Sequence, residues 1–114
     1  MKNILVIDDD DLVREIIITV LVYSGYQVIS ASNGKEGIRL FNDKQANLII
    51  TDINMPIMDG NSVAEYIRNS STYKDIPMIA ITGNSIDIKK GLFNNILRKP
   101  FKVEQLLYII ESLI

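Results

Sequence analysis

Residues able to do chemistry together stand at the ends of several short apolar runs in this sequence. They are Asp8 and Asp9 after the first run, Asp52 after the third, Thr82 after the fourth and Lys99 after the fifth. Parallel strands end at one edge of their sheet, and open parallel sheets bind ligands at that edge. If the runs are parallel strands, three carboxylates, a hydroxyl and an amine converge on one site.

Such a group of carboxylates predicts a bound cation. Mg²⁺ suits the site because it prefers oxygen ligands, keeps several waters and often takes only a few carboxylates from the protein. An aspartate beside the ion can attack phosphorus and form an acyl phosphate. Lys99 and the metal would neutralise the phosphoryl oxygens, and the Thr82 hydroxyl could donate to one of them. Without metal, we expect Asp8, Asp9 and Asp52 to raise one another's pKa values by repulsion.

Five short runs rich in β-branched residues predict the strands that would position this site. Most of these runs are almost wholly apolar, as in strands buried on both faces of a parallel sheet. Helical patterns lie between them, so the fold class predicted is an α/β sandwich with right-handed crossovers. The predicted strands are residues 3–7, 26–31, 46–51, 76–81 and 95–98.

Apolar residues at helical spacing predict helices between these strands. Asp10, Asn33 and Asp59 precede the first three helical segments and are expected to cap or start them. Residues 85–92 give at most a short fourth helix, and residues 103–114 carry the stripe of a closing helix. The buried stripe of the first helix is expected to contain Leu12, Val13, Ile16, Ile17, Val20 and Leu21.

Length and composition predict one globular domain over residues 1–114. The chain is 47% hydrophobic and 23% charged, with a net charge of −2 that gives no electrostatic case for nucleic acid or an anionic membrane. It contains no cysteine and no histidine, which excludes disulfides, thiolate or imidazole catalysis and the usual zinc ligands. We find no secretory signal, and the longest apolar run, residues 16–23, is too short to span a bilayer. The expected location is the cytoplasm.

Four motifs in order resemble the receiver domain of bacterial two-component response regulators. They are "ILVIDDDDLVRE", "LIITDINMPIMDG", "IPMIAITG" and "LRKPF". The resemblance covers nearly the whole chain. It implies a flavodoxin-like (βα)5 three-layer sandwich with a five-stranded parallel sheet in the order 2-1-3-4-5, here with a shortened fourth helix.

The resemblance also implies a role for each site residue. Asp52 would be the phosphoacceptor. Asp8 and Asp9 would hold Mg²⁺ together with Asp52 and the backbone carbonyl of Asn54. In the same family pattern, Thr82 is the switch hydroxyl and Lys99 contacts the phosphate.

The implied partners are a histidine kinase or phosphotransfer protein, which donates the phosphoryl group, and a downstream protein or effector domain. A phosphohistidine on the donor explains how a chain without histidine can belong to such a relay. The only turnover expected is phosphorylation and dephosphorylation of the chain itself, so it would not be an enzyme in the usual sense. The family also commonly dimerises through the face formed by helix four, strand five and the closing helix.

The chain departs from the family pattern after strand four. The stretch between Thr82 and Lys99 is short, and Ile96 stands where an aromatic often moves with the switch hydroxyl. Gly83 replaces a common alanine, and Asn61 takes a position that is often apolar in the third helix. We therefore expect signalling without the usual coupling between the threonine and an aromatic.

Three other functions are compatible with parts of the sequence. A receiver-like binding module that works without phosphate would keep the fold and the altered fourth helix. A small Mg²⁺-dependent phosphohydrolase of the haloacid-dehalogenase type would use Asp8 and Asp10, but that family needs more acidic metal ligands after Lys99 and usually a cap domain, for which the chain has no room. A flavodoxin would need a Ser/Thr- and Gly-rich phosphate loop after strand one, where this chain has "DDDDL", whose acids would repel the FMN phosphate.

Overall fold

Strands and helices alternate along the chain in the computed structural model, which describes residues 2–83 and 87–114. The elements are β1 (Asn3–Ile7), α1 (Asp11–Tyr23), β2 (Gln27–Ala31), α2 (Gly34–Lys44), β3 (Leu48–Asp52), α3 (Gly60–Arg68), β4 (Met78–Thr82), β5 (Asn95–Arg98) and α4 (Val103–Leu113). Among the described residues, no helix is long and apolar enough to cross a membrane.

The five strands form one parallel sheet in the order β2-β1-β3-β4-β5. The predicted order is confirmed. The strand order reverses beside β1, whose Ile7 is paired with Thr51 of β3. On the other side of β3, Asp52 is paired with Ile81 of β4. The carboxyl ends of β1, β3 and β4 therefore lie side by side at one edge.

Alternate residues of each strand pack into two cores, one on each face of the sheet. Ile4 and Val6 belong to the core under α1 and α4, whereas Leu5 and Ile7 belong to the core under α2 and α3. Burial on both faces explains why β1, β3 and β4 are apolar almost without alternation.

The buried stripe predicted for α1 is only partly correct. Ile17 and Leu21 are fully buried, but Leu12 is 71% exposed and Ile16 is 47% exposed. Leu12 lies at the start of α1, and Ile16 lies about one turn later on the same side of the helix. Six apolar residues span more of the helix circumference than the sheet covers, so part of the stripe faces solvent.

The predicted caps are confirmed. The Asp10 carboxylate accepts from the backbone N–H groups of Leu12 and Val13, which are among the first unpaired donors of α1. Asn33 and Asp59 cap α2 and α3 in the same way, through Glu36 N–H and Ser62 N–H.

The connection from β4 to β5 is fastened to α3. Its described part, residues 87–94, contains no α-helix, while Ser85 and Ile86 of the predicted short helix lie outside the described residues. The buried Asn61 side chain donates to the Asp87 carbonyl at 2.6 Å and accepts from Lys89 N–H at 3.0 Å. A backbone without helical hydrogen bonds thereby finds its partners on a neighbouring element.

Arg68, at the end of α3, joins the last part of this connection to the segment that leads into β4. Its guanidinium donates to the carbonyl oxygens of Leu92, Lys74 and Ile76 at 2.9, 2.7 and 2.6 Å. It also donates to the Asn94 side chain at 3.0 Å, and that same oxygen accepts from the N–H of Met78. Asn94 thus links the start of β4 to the end of α3.

Replacing Asn61 by leucine is expected to loosen this connection. The Asp87 carbonyl and the Lys89 N–H would lose their partner, so we expect a loss of about 2 kcal/mol in the free energy of unfolding. Hydrogen exchange at the Lys89 amide should become faster. Asn69→Leu makes the same chemical change at an exposed site just after α3 and should cost less than about 0.5 kcal/mol. Equal effects of the two variants would contradict the role given to Asn61.

Candidate functional site

The predicted site residues lie at the carboxyl edge of the sheet. Asp52 is the last residue of β3 and is 6% exposed, and Asp8, directly after β1, is 1% exposed. Asp9 is the next residue in the chain and is exposed to solvent. Thr82 ends β4 and is fully buried, while Lys99 directly follows β5. Strand ends from distant parts of the chain therefore supply the site.

Lys99 connects two of the carboxylates. Its Nζ lies 3.3 Å from Oδ2 of Asp8 and 3.4 Å from Oδ2 of Asp52. The Lys99 backbone N–H donates to the Thr82 carbonyl at 2.8 Å, which fixes the Lys99 backbone beside the end of β4. The ammonium group therefore stands between two buried acids and offsets part of their repulsion.

The other carboxylate oxygens are held by the backbone. Oδ1 of Asp8 accepts from the N–H of Asp10 at 2.9 Å, and Oδ1 of Asp52 accepts from the N–H of Ile53 at 2.8 Å. Each buried acid thus has one oxygen fixed by the chain that follows it. Its other oxygen points toward Lys99.

The three acids are close enough to share one cation. One carboxylate oxygen from each of Asp8, Asp9 and Asp52 lies within 4.8 Å of the other two. Oδ2 of Asp8 is buried and has no hydrogen bond among the described residues, although Lys99 lies at ion-pair distance. A buried anionic oxygen without a hydrogen bond is costly, and a hard cation would satisfy it. The cluster fits a divalent metal with oxygen ligands.

Burial is the main influence on the pKa values in the cluster. It raises the pKa of Asp52 to about 6, and repulsion from Asp8 adds to the effect while Lys99 opposes it. Burial also raises the pKa of Asp8, against the Asp10 hydrogen bond and Lys99. Burial lowers the pKa of Lys99, but Asp8 and Asp52 outweigh it and the value lies above normal. Repulsion between the carboxylates raises the pKa values of Asp8 and Asp52 as predicted, but desolvation by burial raises them more.

The raised pKa of Asp52 predicts a pH dependence of stability without metal. A folded-state pKa of about 6, against 3.8 for the free group, means that the folded protein binds this proton more tightly. The contribution of Asp52 is therefore most favourable below pH 4 and is lost as the pH rises through 6, by about 3 kcal/mol in total. Urea unfolding in EDTA should show this loss in the wild type relative to Asp52→Asn. Parallel pH profiles of the two proteins would contradict it.

The predicted roles of all the site residues stay predictions, and for two of them the structure gives only their position. Asn54 lies two residues beyond β3 in an exposed position, and its backbone carbonyl stays a predicted metal ligand. Thr82 is buried at the end of the strand next to β3, one residue beyond the partner of Asp52. That position is compatible with a hydroxyl near a group carried by Asp52.

The loop after Asp52 contains two features that sequence reasoning missed. Gly60 donates its N–H to the Ile53 carbonyl at 2.9 Å, which brings the start of α3 against the end of β3. Ile57 has φ 73°, a conformation that a β-branched residue rarely adopts. The signal in the sequence for Gly60 is a glycine at a helix start, directly after the capping Asp59.

Known proteins match both the sequence and this architecture. The response regulator receiver domain family matches residues 4–111. The probable transcriptional regulator ycf27 of Cyanophora paradoxa is 36% identical over 99% of this chain and 48% of its own length. The chain thus spans about half the length of the curated relatives that it matches.

Solved structures share the whole fold. Chemotaxis protein CheY4 of Vibrio cholerae has a TM-score of 0.91 at 28% identity, covering 100% of this chain and 99% of that one. Response regulator TrrA of Thermotoga maritima, solved in complex with Mg²⁺ and BeF, has a TM-score of 0.90 at 32% identity and 100% coverage of both chains. With the strand order and the acidic edge already described, these matches establish that the chain belongs to the response regulator receiver domain family.

Proposed function

We propose that this receiver domain accepts a phosphoryl group on Asp52, in a reaction that requires Mg²⁺, from a phosphohistidine of a histidine kinase or phosphotransfer protein. The observation that carries the proposal is the position of Asp52. Its Oδ2 lies 3.4 Å from Lys99 Nζ, inside a cluster of three carboxylates close enough to share a cation. The complex of TrrA with Mg²⁺ and BeF supports the same chemistry here.

Each residue of the edge has a role in the proposed transfer. An Asp52 carboxylate oxygen attacks phosphorus as the bond to the donor nitrogen breaks, leaving an acyl phosphate on Asp52 and the electron pair on the histidine. Lys99, already beside that carboxylate, pairs with a phosphoryl oxygen. Mg²⁺ would be held by Asp8, Asp9, Asp52 and the Asn54 carbonyl, and it supplies charge neutralisation when bound. The Thr82 hydroxyl would donate to the transferred group.

The proposed donor contacts an apolar rim beside the site. Leu12 and Ile16 are exposed on α1, and Ile16 lines a groove with Lys99, Pro100 and Phe101. A phosphohistidine can reach Asp52 only if its protein lies against this edge of the sheet. Exposed apolar side chains at that place would be buried by such a partner, which supports docking of the donor there.

The remaining parts of the proposal concern the chain as a whole. Residues 1–114 would form a single receiver domain in the cytoplasm that changes its contacts with a downstream protein or effector domain when phosphorylated. The relatives described as transcriptional regulators are about twice as long as this chain, which supports an effector domain that regulates transcription. The expected turnover is confined to phosphorylation of Asp52 and hydrolysis of its own acyl phosphate.

Intact mass measurement tests the proposal directly. The chain is incubated with a small acyl-phosphate donor, with Mg²⁺ in one arm and EDTA in the other. One base-labile phosphate adduct in the Mg²⁺ arm alone is the expected result. A third arm replaces the small donor by a phosphorylated histidine-kinase domain. No adduct in any Mg²⁺ arm, with the protein folded, would contradict the proposal and favour a binding module that works without phosphate.

A further inference from the structure

Arg14 joins the end of β1 to the first turns of α1 at the border of the acidic cluster. Its Nη1 donates to the carbonyl oxygen of Asp8 at 2.8 Å, and its Nη2 lies 2.6 Å from the Asp11 carboxylate. The Arg14 side chain is only 18% exposed. The bond to the Asp8 carbonyl is partly buried, where such bonds are stronger than at an exposed site, whereas the Asp11 side chain of the ion pair is 86% exposed.

Two hydrogen bonds hold the backbone of Asp8, one at its N–H and one at its carbonyl oxygen. The Asp8 N–H donates to the Ala31 carbonyl at 3.1 Å and continues the pairing of β1 with β2. Arg14 holds the Asp8 carbonyl, which belongs to the planar peptide unit that leads into Asp9. Rotation of this unit would move Asp9 relative to Asp8. The separation of the two carboxylates thus depends on the orientation of a peptide that Arg14 holds.

We propose that Arg14 is a positioning residue of the metal site, which acts through the Asp8–Asp9 peptide unit. Its hydrogen bond keeps that unit in the orientation in which both carboxylates can bind one divalent cation. The inference rests on the proposed function, because it takes the acidic cluster to be the cation site. Groups that orient metal ligands in this way typically change metal affinity by about 10- to 100-fold.

The positive charge of Arg14 is expected to lower Mg²⁺ affinity, whereas its hydrogen bond to Asp8 is expected to raise it. The test has to separate these two effects. A positive group beside the cluster repels a metal cation, so its removal alone would strengthen binding while the lost hydrogen bond weakens it. The ion pair with Asp11 offers a charge-neutral variant. Arg14→Met with Asp11→Asn removes one positive and one negative charge together. Asp11→Asn alone is the matched control, since it retains the bond from Arg14 to Asp8.

The measurement is the Mg²⁺ dissociation constant of the full chain by isothermal titration calorimetry, with circular dichroism as the check on folding. We expect Asp11→Asn to bind within about twofold of the wild type and the double variant to bind about tenfold more weakly. At saturating Mg²⁺, phosphorylation of the double variant by a small acyl phosphate should recover to within about threefold of the wild-type rate. A defect in affinity that saturation corrects is the signature of a positioning residue.

Each other outcome overturns a definite statement. An unchanged dissociation constant in the double variant would exclude the role of Arg14. A tenfold loss already in Asp11→Asn would assign the effect to charge and also exclude it. Failure of the wild type to bind Mg²⁺ would contradict the proposed function instead. If the double variant does not fold, Arg14→Gln with Asp11→Asn carries the same test with the same expectation.

Discussion

Asp52→Asn is expected to abolish the phosphate adduct under conditions in which the wild type gains one. The amide is nearly the same size as the carboxylate but cannot act as the nucleophile toward phosphorus, so the loss should be complete. The fold should persist. Because ionised Asp52 is buried beside Asp8, with a pKa raised to about 6, the variant should also be more stable than the wild type above pH 7 without metal. Intact mass and urea unfolding measure the two effects.

Asp43→Asn is the matched control for this variant. Asp43 is an exposed acid on α2, so its replacement should leave both the adduct and the stability unchanged. An adduct of equal yield and lability in Asp52→Asn would mean that another residue accepts the phosphoryl group. Asp8 and Asp9 would then be the first candidates, because they share the cluster.

Gly60→Ala is expected to give the largest loss of stability. A Cβ atom at position 60 would overlap the carbonyl oxygen of Asp52 and lie 3.0 Å from the carbonyl carbon of Asp52 and from Cα of Ile53. These are backbone atoms at the end of a buried strand and cannot move as a side-chain tip can. We expect the free energy of unfolding to fall by about 3 kcal/mol. Phosphorylation should also slow, because the displaced backbone carries the phosphoacceptor.

Gly83→Ala is the control for that substitution. Among the residues that the structure describes, none has a heavy atom within 4 Å of a Cβ added at position 83. The substitution should change stability by less than about 0.5 kcal/mol, or raise it slightly by restricting the unfolded chain. Urea unfolding of both variants gives the comparison. A Gly60→Ala protein as stable as Gly83→Ala would show that the close approach of α3 to β3 is not needed.

Much of the site could be predicted because its residues follow from local pattern. A strand buried on both faces must be apolar along its length, so the polar residue that ends it is conspicuous in the sequence. Asp8 and Asp52 were identified in this way and Lys99 by its place after the fifth run, while the caps formed by Asp10 and Asn33 follow from equally local chemistry. The strand order came from the resemblance to the family and not from periodicity.

The contacts that complete the site could not be predicted, since they join distant parts of the chain. Lys99 reaches Asp52 across 47 positions of sequence, and only the pairing of β3 with β4 and of β4 with β5 brings them together. Asn61 was interpreted as a departure from an apolar pattern. Its hydrogen bonds to Asp87 and Lys89, more than 25 residues away, give it a definite structural role.

The sequence by itself determined the elements, the edge at which the site forms and the acids available to a metal. These depend on periodicity, turn chemistry and residue type within a few positions. Only the tertiary structure decided that Leu12 and Ile16 of α1 are exposed, that Lys99 stands between two buried carboxylates and that Arg14 holds the Asp8 carbonyl. Those facts depend on which surfaces meet after folding, and no local rule contains that information.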